Sequence, residues 1–258
     1  MSKGFVIGVL VGISLLAIFG IGAASRPKQK DIEQQKYQVE VAQATPVQLH
    51  VMTPKQHFHS RLHNGAGVRV GGKTISDWLT SYGGQRIVLG TDILGRRFFA
   101  SDQPEAPEDC FGRFAKESDA VIRGKVTSKI SQITEDDSFL FTDYDVVVLE
   151  VFKNSATGPL DTGTTITFTS LGGEIVLDDV ILKAGGKGIP LLPINGHEVL
   201  LFLKFVPETG SYKLTQYDGS FELDGTFARP LASGFPLPTD VYEHQAAFLK
   251  MIRAVSNK

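Results

Sequence analysis

The fold of this 258-residue chain is decided by two segments, Ala120-Val-Ile-Arg-Gly-Lys-Val126 and Phe139-Leu-Phe-Thr-Asp-Tyr-Asp-Val-Val-Val-Leu-Glu-Val-Phe152. The first segment alternates, because its apolar residues fall on one side of an extended chain while Arg123 and Lys125 fall on the other. The second is rich in β-branched and aromatic residues, which suit a packed, pleated surface. Its latter half is apolar on both faces. We therefore predict a half-buried strand followed by a central strand.

Further short strands follow at a regular spacing. Residues 154–163 between two of them combine Asn, Ser, Gly, Pro and Asp, a mixture that breaks strands. No helical pattern interrupts the series, which predicts an antiparallel barrel or sandwich of roughly 100 residues. The additional predicted strands are residues 164–169, 174–177, 198–205, 212–217 and 220–223.

A family resemblance is carried by three segments, Cys110-Phe-Gly-Arg-Phe-Ala-Lys-Glu-Ser-Asp-Ala-Val-Ile-Arg-Gly-Lys-Val126, Tyr144-Asp-Val-Val-Val-Leu-Glu-Val-Phe-Lys153 and Gly196-His-Glu-Val-Leu-Leu-Phe-Leu203. The first resembles the opening of netrin-type modules, which include the tissue inhibitors of metalloproteinases (TIMPs). The other two are similar to later strands of that family. The resemblance covers residues 110–224 and implies a mainly β fold, an OB-like (netrin/TIMP-like) antiparallel β-barrel in a bacterial-type envelope protein.

Cys110 departs from the pattern of those inhibitors. Their opening cysteine is the mature N-terminus and clasps a catalytic zinc, and disulfides staple the barrel. Cys110 is internal and is the single cysteine of the chain, so we carry over the fold and not the inhibitory activity. Two states are predicted for Cys110, a buried small hydrophobe or a reactive or intermolecular thiol.

The N-terminal residues 4–24 contain no charged side chain. As a helix rising ~1.5 Å per residue, this run is long enough to cross a hydrocarbon core of ~30 Å. Residues 1–25 are therefore predicted to be a transmembrane anchor, or a signal peptide cleaved after Ala24. The basic residues that follow the run favour a cytoplasmic body by the positive-inside rule. A very short tail ahead of a long soluble part instead predicts an extracytoplasmic body, or a secreted one after cleavage.

The remainder of the chain is predicted to contain four parts. Residues 26–46 form a solvated linker, and residues 110–227 form the barrel. Residues 47–107 form a small accessory region of unknown fold, with strands at 47–52 and 86–90 and a short helix at 75–82. The acidic, proline-containing residues 103–109 are predicted to form a break between domains. Residues 228–258 combine a proline-rich crossing with a C-terminal helix that starts at about Asp240, and its apolar stripe packs on the barrel. That stripe comprises Val241, Phe248, Leu249, Ile252 and Val255.

Four of the six histidines fall within residues 50–63, as His50, His57, His59 and His63. In a strand, His57 and His59 lie on one face, and with His63 they make a zinc or copper site geometrically possible. The alternative is a polar loop with exposed histidines. The acidic run at residues 135–137 predicts a solvated hairpin tip rather than a calcium loop.

The rest of the sequence excludes several classes of protein. The 26 Lys and Arg are balanced by 28 Asp and Glu, which gives no basic field for nucleic acid. No Gly-x-Ser-x-Gly elbow is present, and no catalytic or cofactor-binding residue is identified. The leading prediction is a membrane-anchored or secreted envelope protein with a non-enzymatic barrel that binds an unknown protein or small molecule. The alternatives are an envelope metalloprotein or hydrolase using His57, His59 and His63, and a protease regulator.

Overall fold

The chain is described here by a computed structural model that covers ten stretches of residues. The predicted membrane segment at residues 4–24 lies outside them. Within them, no helix has both the length and the apolar character needed to cross a membrane. The described residues are 45–46, 51–66, 74–77, 86–90, 106–158, 160–177, 180–185, 196–216, 219–231 and 244–257.

The described elements are mainly β-strands. In chain order the strands are β1 (Thr45–Pro46), β2 (Arg86–Gly90), β3 (Ala120–Ile133), β4 (Leu140–Asn154), β5 (Thr165–Leu171), β6 (Gly173–Leu177), β7 (Val180–Gly185), β8 (Glu198–Val206), β9 (Ser211–Leu214), β10 (Ser220–Leu223) and β11 (Ala228–Pro230). The helices are α1 (Pro54–His63), α2 (Pro107–Glu117) and α3 (Gln245–Ser256).

The larger sheet is built around a circuit of five strands. β3 pairs antiparallel with both β4 and β8, and β4 pairs antiparallel with β5. β5 pairs with β9 in parallel, and β9 pairs antiparallel with β8. The order of pairing is therefore β8-β3-β4-β5-β9 and then β8 again, while β10 and β11 extend the sheet beside β8.

The strand predictions for the second half of the chain are confirmed in type and approximate position. β4 lies between β3 and β5, as its apolar residues on both faces predicted. The strand predicted at residues 212–217 is wrong for Thr215 and Gln216, because β9 ends at Leu214, and Tyr217 lies outside the described residues. β7 was not predicted.

A second sheet has the order β1-β6-β7-β2. β6 and β7 form an antiparallel hairpin that follows β5, and β1 and β2 add to its two sides in parallel. The strand predicted at residues 86–90 is therefore confirmed as β2. Of the strand predicted at residues 47–52, the two described residues Val51 and Met52 are not in a strand.

Two apolar layers lie on opposite faces of the circuit, and β8 contributes to both. Val199, Leu201 and Leu203 pack in one layer, whereas Leu200 and Phe202 pack in the other. A strand that is buried on both faces reads as a continuous apolar run, which explains the sequence of β8. The second layer is covered by α2 and α3.

Helix α2 corrects the prediction that residues 103–109 form a break, because the helix begins at Pro107. Proline suits the first helical position, and Glu108 and Asp109 follow it in the first turn, where acidic residues favour the helix dipole. The buried side of α2 contains Cys110, which confirms the prediction of a buried cysteine.

Helix α3 confirms the predicted C-terminal helix but begins later. Its first residue is Gln245, after His244, rather than Asp240, which lies outside the described residues. The predicted stripe is confirmed for Phe248, Leu249, Ile252 and Val255, all of which are buried.

Two glycines provide a matched test of the packing of this fold. A Cβ atom at Gly124 in β3 overlaps Val146 Cγ1 and lies 3.0 Å from the Val147 carbonyl oxygen, whereas nothing lies within 4 Å of a Cβ at Gly112 in α2. We expect Gly124→Ala to lower the free energy of unfolding by about 1–3 kcal/mol through overpacking. Gly112→Ala should raise it by about 0.5–1 kcal/mol, because alanine favours a helix. Denaturant unfolding measures both, and a neutral Gly124→Ala would contradict the packing of β3 against β4.

Candidate functional site

Helix α1 carries three of the histidines singled out in the sequence. Thr53 caps it, with its side chain accepting from the N–H of Gln56 while the Gln56 side chain accepts from the Thr53 N–H, and Pro54 opens the first turn. The strand geometry assumed for His57 and His59 is therefore wrong, because residues two apart on a helix point in different directions. His59 and His63, four apart, share a face. His50 lies outside the described residues.

His59 is completely buried and is hydrogen bonded through both ring nitrogens. Nδ1 lies 2.8 Å from Asp143 Oδ1, and Nε2 lies 2.7 Å from Ser211 Oγ and 3.3 Å from Thr209 Oγ1. A carboxylate only accepts, so Nδ1 donates to Asp143, and in the neutral ring Nε2 then accepts from the Ser211 hydroxyl. α1 is thereby joined to β4 and to the end of the β8–β9 turn.

His63 is buried one turn further along α1. Its Nε2 lies 3.2 Å from Thr169 Oγ1 on β5. Its ring is stacked on Phe141 of β4, with 6.0 Å between the ring centroids and an angle of 24° between the planes. The ring therefore lies directly on the sheet.

His57 lies apart from the other two and is half exposed. Its Nδ1 is 2.6 Å from Glu135 Oε1 in the β3–β4 turn. The N–H of Glu135 donates to Ser60 Oγ at 2.6 Å. The predicted hairpin tip is confirmed as the β3–β4 turn, in which Glu135 and Asp136 are exposed. The N–H groups of Gly65 and Ile75 also donate to the Asp136 carboxylate and to the Asp137 carbonyl oxygen.

The buried face of α1 is entirely polar. It consists of Gln56, His59, Ser60 and His63, whereas Leu62 is 38% exposed. A helix of a globular protein normally buries its apolar stripe. α1 does the reverse, because the sheet beneath it offers polar partners.

The environment of His63 keeps its imidazole neutral. Burial, and after it the neighbouring His59 and Lys213, lower the pKa of His63 from its ordinary value of 6.5 to about 3. Docking of α1 therefore requires the neutral form of this ring.

This shift predicts that docking of α1 weakens in mild acid. Undocked His63 binds a proton as the pH falls below 6.5, whereas docked His63 stays neutral down to about pH 3, so the contribution is complete above pH 6.5 and declines below it. Each pH unit corresponds to ~1.4 kcal/mol, which gives a loss of about 2 kcal/mol by about pH 5. Denaturant unfolding at pH 6.5 and at about pH 5 should show this decrease in the free energy of unfolding in the native chain and not in His63→Gln. Equal losses in the two proteins would contradict it.

His57, His59 and His63 do not together form a metal centre of three ligands in this arrangement. In the described part of the chain, no group of three or more His, Cys, Asp or Glu side chains is placed to hold a metal ion. The predicted zinc or copper ligands are divided, with His59 and His63 on the sheet and His57 at the turn.

The line from Asp143 through His59 to Ser211 has the hydrogen-bond order of an acid–base–nucleophile triad. Ser211 Oγ, however, has a second partner in Thr209 Oγ1 at 2.5 Å, and Ser211 has no exposed surface. In this state the line fixes α1 on the sheet and offers no access to a substrate carbonyl. Asp143, Thr169, Thr209 and Ser211 carry no local motif, and none of them was singled out in the sequence.

A cavity of about 200 Å³ lies beside His63. Thr169, Ser170, Lys213 and Gln216 are among its lining residues. Gln216 Oε1 is buried and has no hydrogen-bond partner within the described residues, so an acceptor is available next to the cavity.

No protein-family model matches this chain, and no curated protein is significantly similar to it.

Proposed function

We propose that this chain is an extracytoplasmic binding protein, held at a membrane by residues 4–24 or released by cleavage after Ala24. In this proposal an OB-like β-barrel of the netrin/TIMP type is the binding module. It acts without catalysis and takes a small-molecule or protein ligand.

The observation that carries the proposal is the circuit β8-β3-β4-β5-β9 with its parallel β5–β9 pair. A five-stranded circuit is the size of an OB barrel, and such barrels bind ligands on the face of their second and third strands and on the loops L12 and L45. Counted from β3, those parts are β4 and β5, the β3–β4 turn and the β8–β9 turn. These are also the parts that α1 contacts. The resemblance in residues 110–224 supports the same barrel.

The binding proposal is tested by comparing two charge reversals in the full chain. Lys213 is exposed beside the cavity, and Lys116 is exposed on α2. After chemical cross-linking in intact cells, we expect a partner to be captured by the native chain and by Lys116→Glu but not by Lys213→Glu. If all three proteins capture the same material, the face of β4 and β5 is not the binding surface.

The proposed location rests on the uncharged run at residues 4–24. Fusions of the C-terminus to alkaline phosphatase, which is active only outside the cytoplasm, and to β-galactosidase test it. We expect activity from the phosphatase fusion. Activity from the β-galactosidase fusion alone would overturn the proposed location. Sequencing of the mature N-terminus distinguishes an anchor from a peptide cleaved after Ala24.

A serine hydrolase is the second candidate, and the line from Asp143 through His59 to Ser211 favours it. The burial of Ser211 opposes it. Treatment of the full chain with a fluorophosphonate probe decides between them. Labelling that is lost in Ser211→Ala would support a hydrolase, whereas an unlabelled native chain supports the non-enzymatic module.

A further inference from the structure

The surface beneath α1 consists of polar groups from three strands and one turn. Asp143 on β4 and Thr169 on β5 bond to the two buried histidines of α1. Ser211 on β9 and Thr209 in the turn before it bond to the first of these histidines. Phe141 adds an aromatic ring that lies against the second histidine.

The contact between α1 and this surface is of a kind that separates readily. A hydrogen bond contributes only about 1 kcal/mol net, because the separated groups bond to water. No apolar side chain of α1 is fully buried, and Phe58 is only half-buried, so a limited apolar area holds the helix in place. Elements with few buried apolar contacts detach without unfolding of the whole protein.

We propose that the surface formed by Phe141, Asp143, Thr169, Thr209 and Ser211 binds a neutral oligosaccharide and that α1 is its detachable cover. The inference rests on the proposed function, in which this face of the barrel is the binding face, and it adds the chemical class of the ligand and the element that controls access.

The chemistry of the surface selects this class of ligand. An apolar ligand leaves Asp143 and Thr169 without partners, at a cost of ~1–3 kcal/mol each. An anionic ligand meets the carboxylates of Asp143 and, in the adjacent turn, Glu135. Sugar hydroxyls both donate and accept, as the side chains of α1 do. The apolar face of a sugar ring can pack on Phe141, where an imidazole lies now.

The cavity beside α1 provides a point of entry to the covered surface. Thr169 belongs to both the cavity lining and the covered surface, and Lys213 and Gln216 add an amine and an unpaired buried carbonyl oxygen. A sugar ring bound here lies at the edge of α1 and next to the groups that α1 occupies. A ligand that enters the cavity is therefore in position to displace α1 from the adjacent groups.

Thiol labelling of the full chain tests whether α1 detaches alone. Ser60→Cys places a thiol on the buried face of α1, and the native Cys110, fully buried on the face of α2 that packs in the core, reports unfolding of the whole protein. We expect a maleimide to modify the thiol of Ser60→Cys at least ten-fold faster than Cys110. The variant Gln56→Cys repeats the test at a second buried position. Equal rates for both variants and Cys110 would overturn the detachable cover.

The ligand class is tested on the same variants with cellohexaose, chitohexaose and maltohexaose. We expect at least one of these neutral oligosaccharides to bind the native chain in calorimetry. It should also increase the labelling rate at position 60 several-fold without changing the rate at Cys110, and hexagalacturonate, the anionic control, should do neither. If none of the three binds, the oligosaccharide class is overturned. Cross-linking with Lys213→Glu then still decides separately whether this face binds a protein.

Discussion

Phe111→Ala is expected to lower the free energy of unfolding by about 3–5 kcal/mol, the usual cost of removing a buried aromatic ring. Phe111 is fully buried, and its ring centroid lies 5.3 Å from that of Phe248 on α3, 5.7 Å from Phe221 on β10 and 6.3 Å from Phe202 on β8. The ring thus joins both helices to the sheet. Because its neighbours are held by different elements, the cavity left by alanine cannot collapse.

Phe227→Ala provides the matched control, because Phe227 is 39% exposed. The guanidinium carbon of Arg229 lies 5.8 Å from the centroid of the Phe227 ring. A cation–π contact of this kind contributes only about 0.5–1 kcal/mol at an exposed site. Denaturant unfolding of both variants at one pH separates the two effects. Similar losses for Phe111→Ala and Phe227→Ala would show that α2 and α3 are not held by this aromatic cluster.

The strands of the larger sheet could be predicted because the local pattern of apolar and polar residues indicates which side chains of each strand are buried. β8 shows this, since its apolar run corresponds to packing on both faces of the sheet. The order of the strands could not be predicted in the same way. β9 has four residues and pairs with both β5 and β8, and nothing in so short a segment specifies two partners.

The helices α1 and α2 were not predicted, for different reasons. α2 has a clear signal, with Pro107 at its start and apolar residues at helical spacing. Its acidic first turn was interpreted as a break between domains. α1 has no apolar periodicity to detect, and only the spacing of Thr53, Pro54 and Gln56 indicates a helix start.

The candidate site was predicted only in part, because its groups come from distant parts of the chain. His59 and His63 were singled out correctly as unusual, although for a metal site with His57. The partners of His59 lie 84 and 152 residues away, at Asp143 and Ser211. A serine or aspartate in a strand carries no local sign of such a partner, since the fold alone brings the two together.

His59→Ala is expected to release α1 from the sheet. Alanine leaves the Asp143 carboxylate, which is 8% exposed, without its buried hydrogen-bond donor, and a buried acceptor left without a donor costs about 1–3 kcal/mol, and more when it is charged. When α1 detaches, water again hydrates Asp143. The decrease in stability caused by His59→Ala therefore cannot exceed the free energy with which α1 is docked. The consequence is a mobile α1 on an otherwise folded sheet, rather than unfolding of the whole chain.

His57→Ala separates this effect from the loss of an imidazole two residues away. The His57 side chain is 46% exposed beside Glu135, and an exposed contact of this kind contributes no more than about 1 kcal/mol. Trypsin cleavage after Lys55 and Arg61, both within α1, measures release of the helix. We expect at least ten-fold faster cleavage in His59→Ala and less than two-fold in His57→Ala. Equal acceleration in the two variants would mean that the turn contact, and not the buried line to Asp143 and Ser211, holds α1 on the sheet.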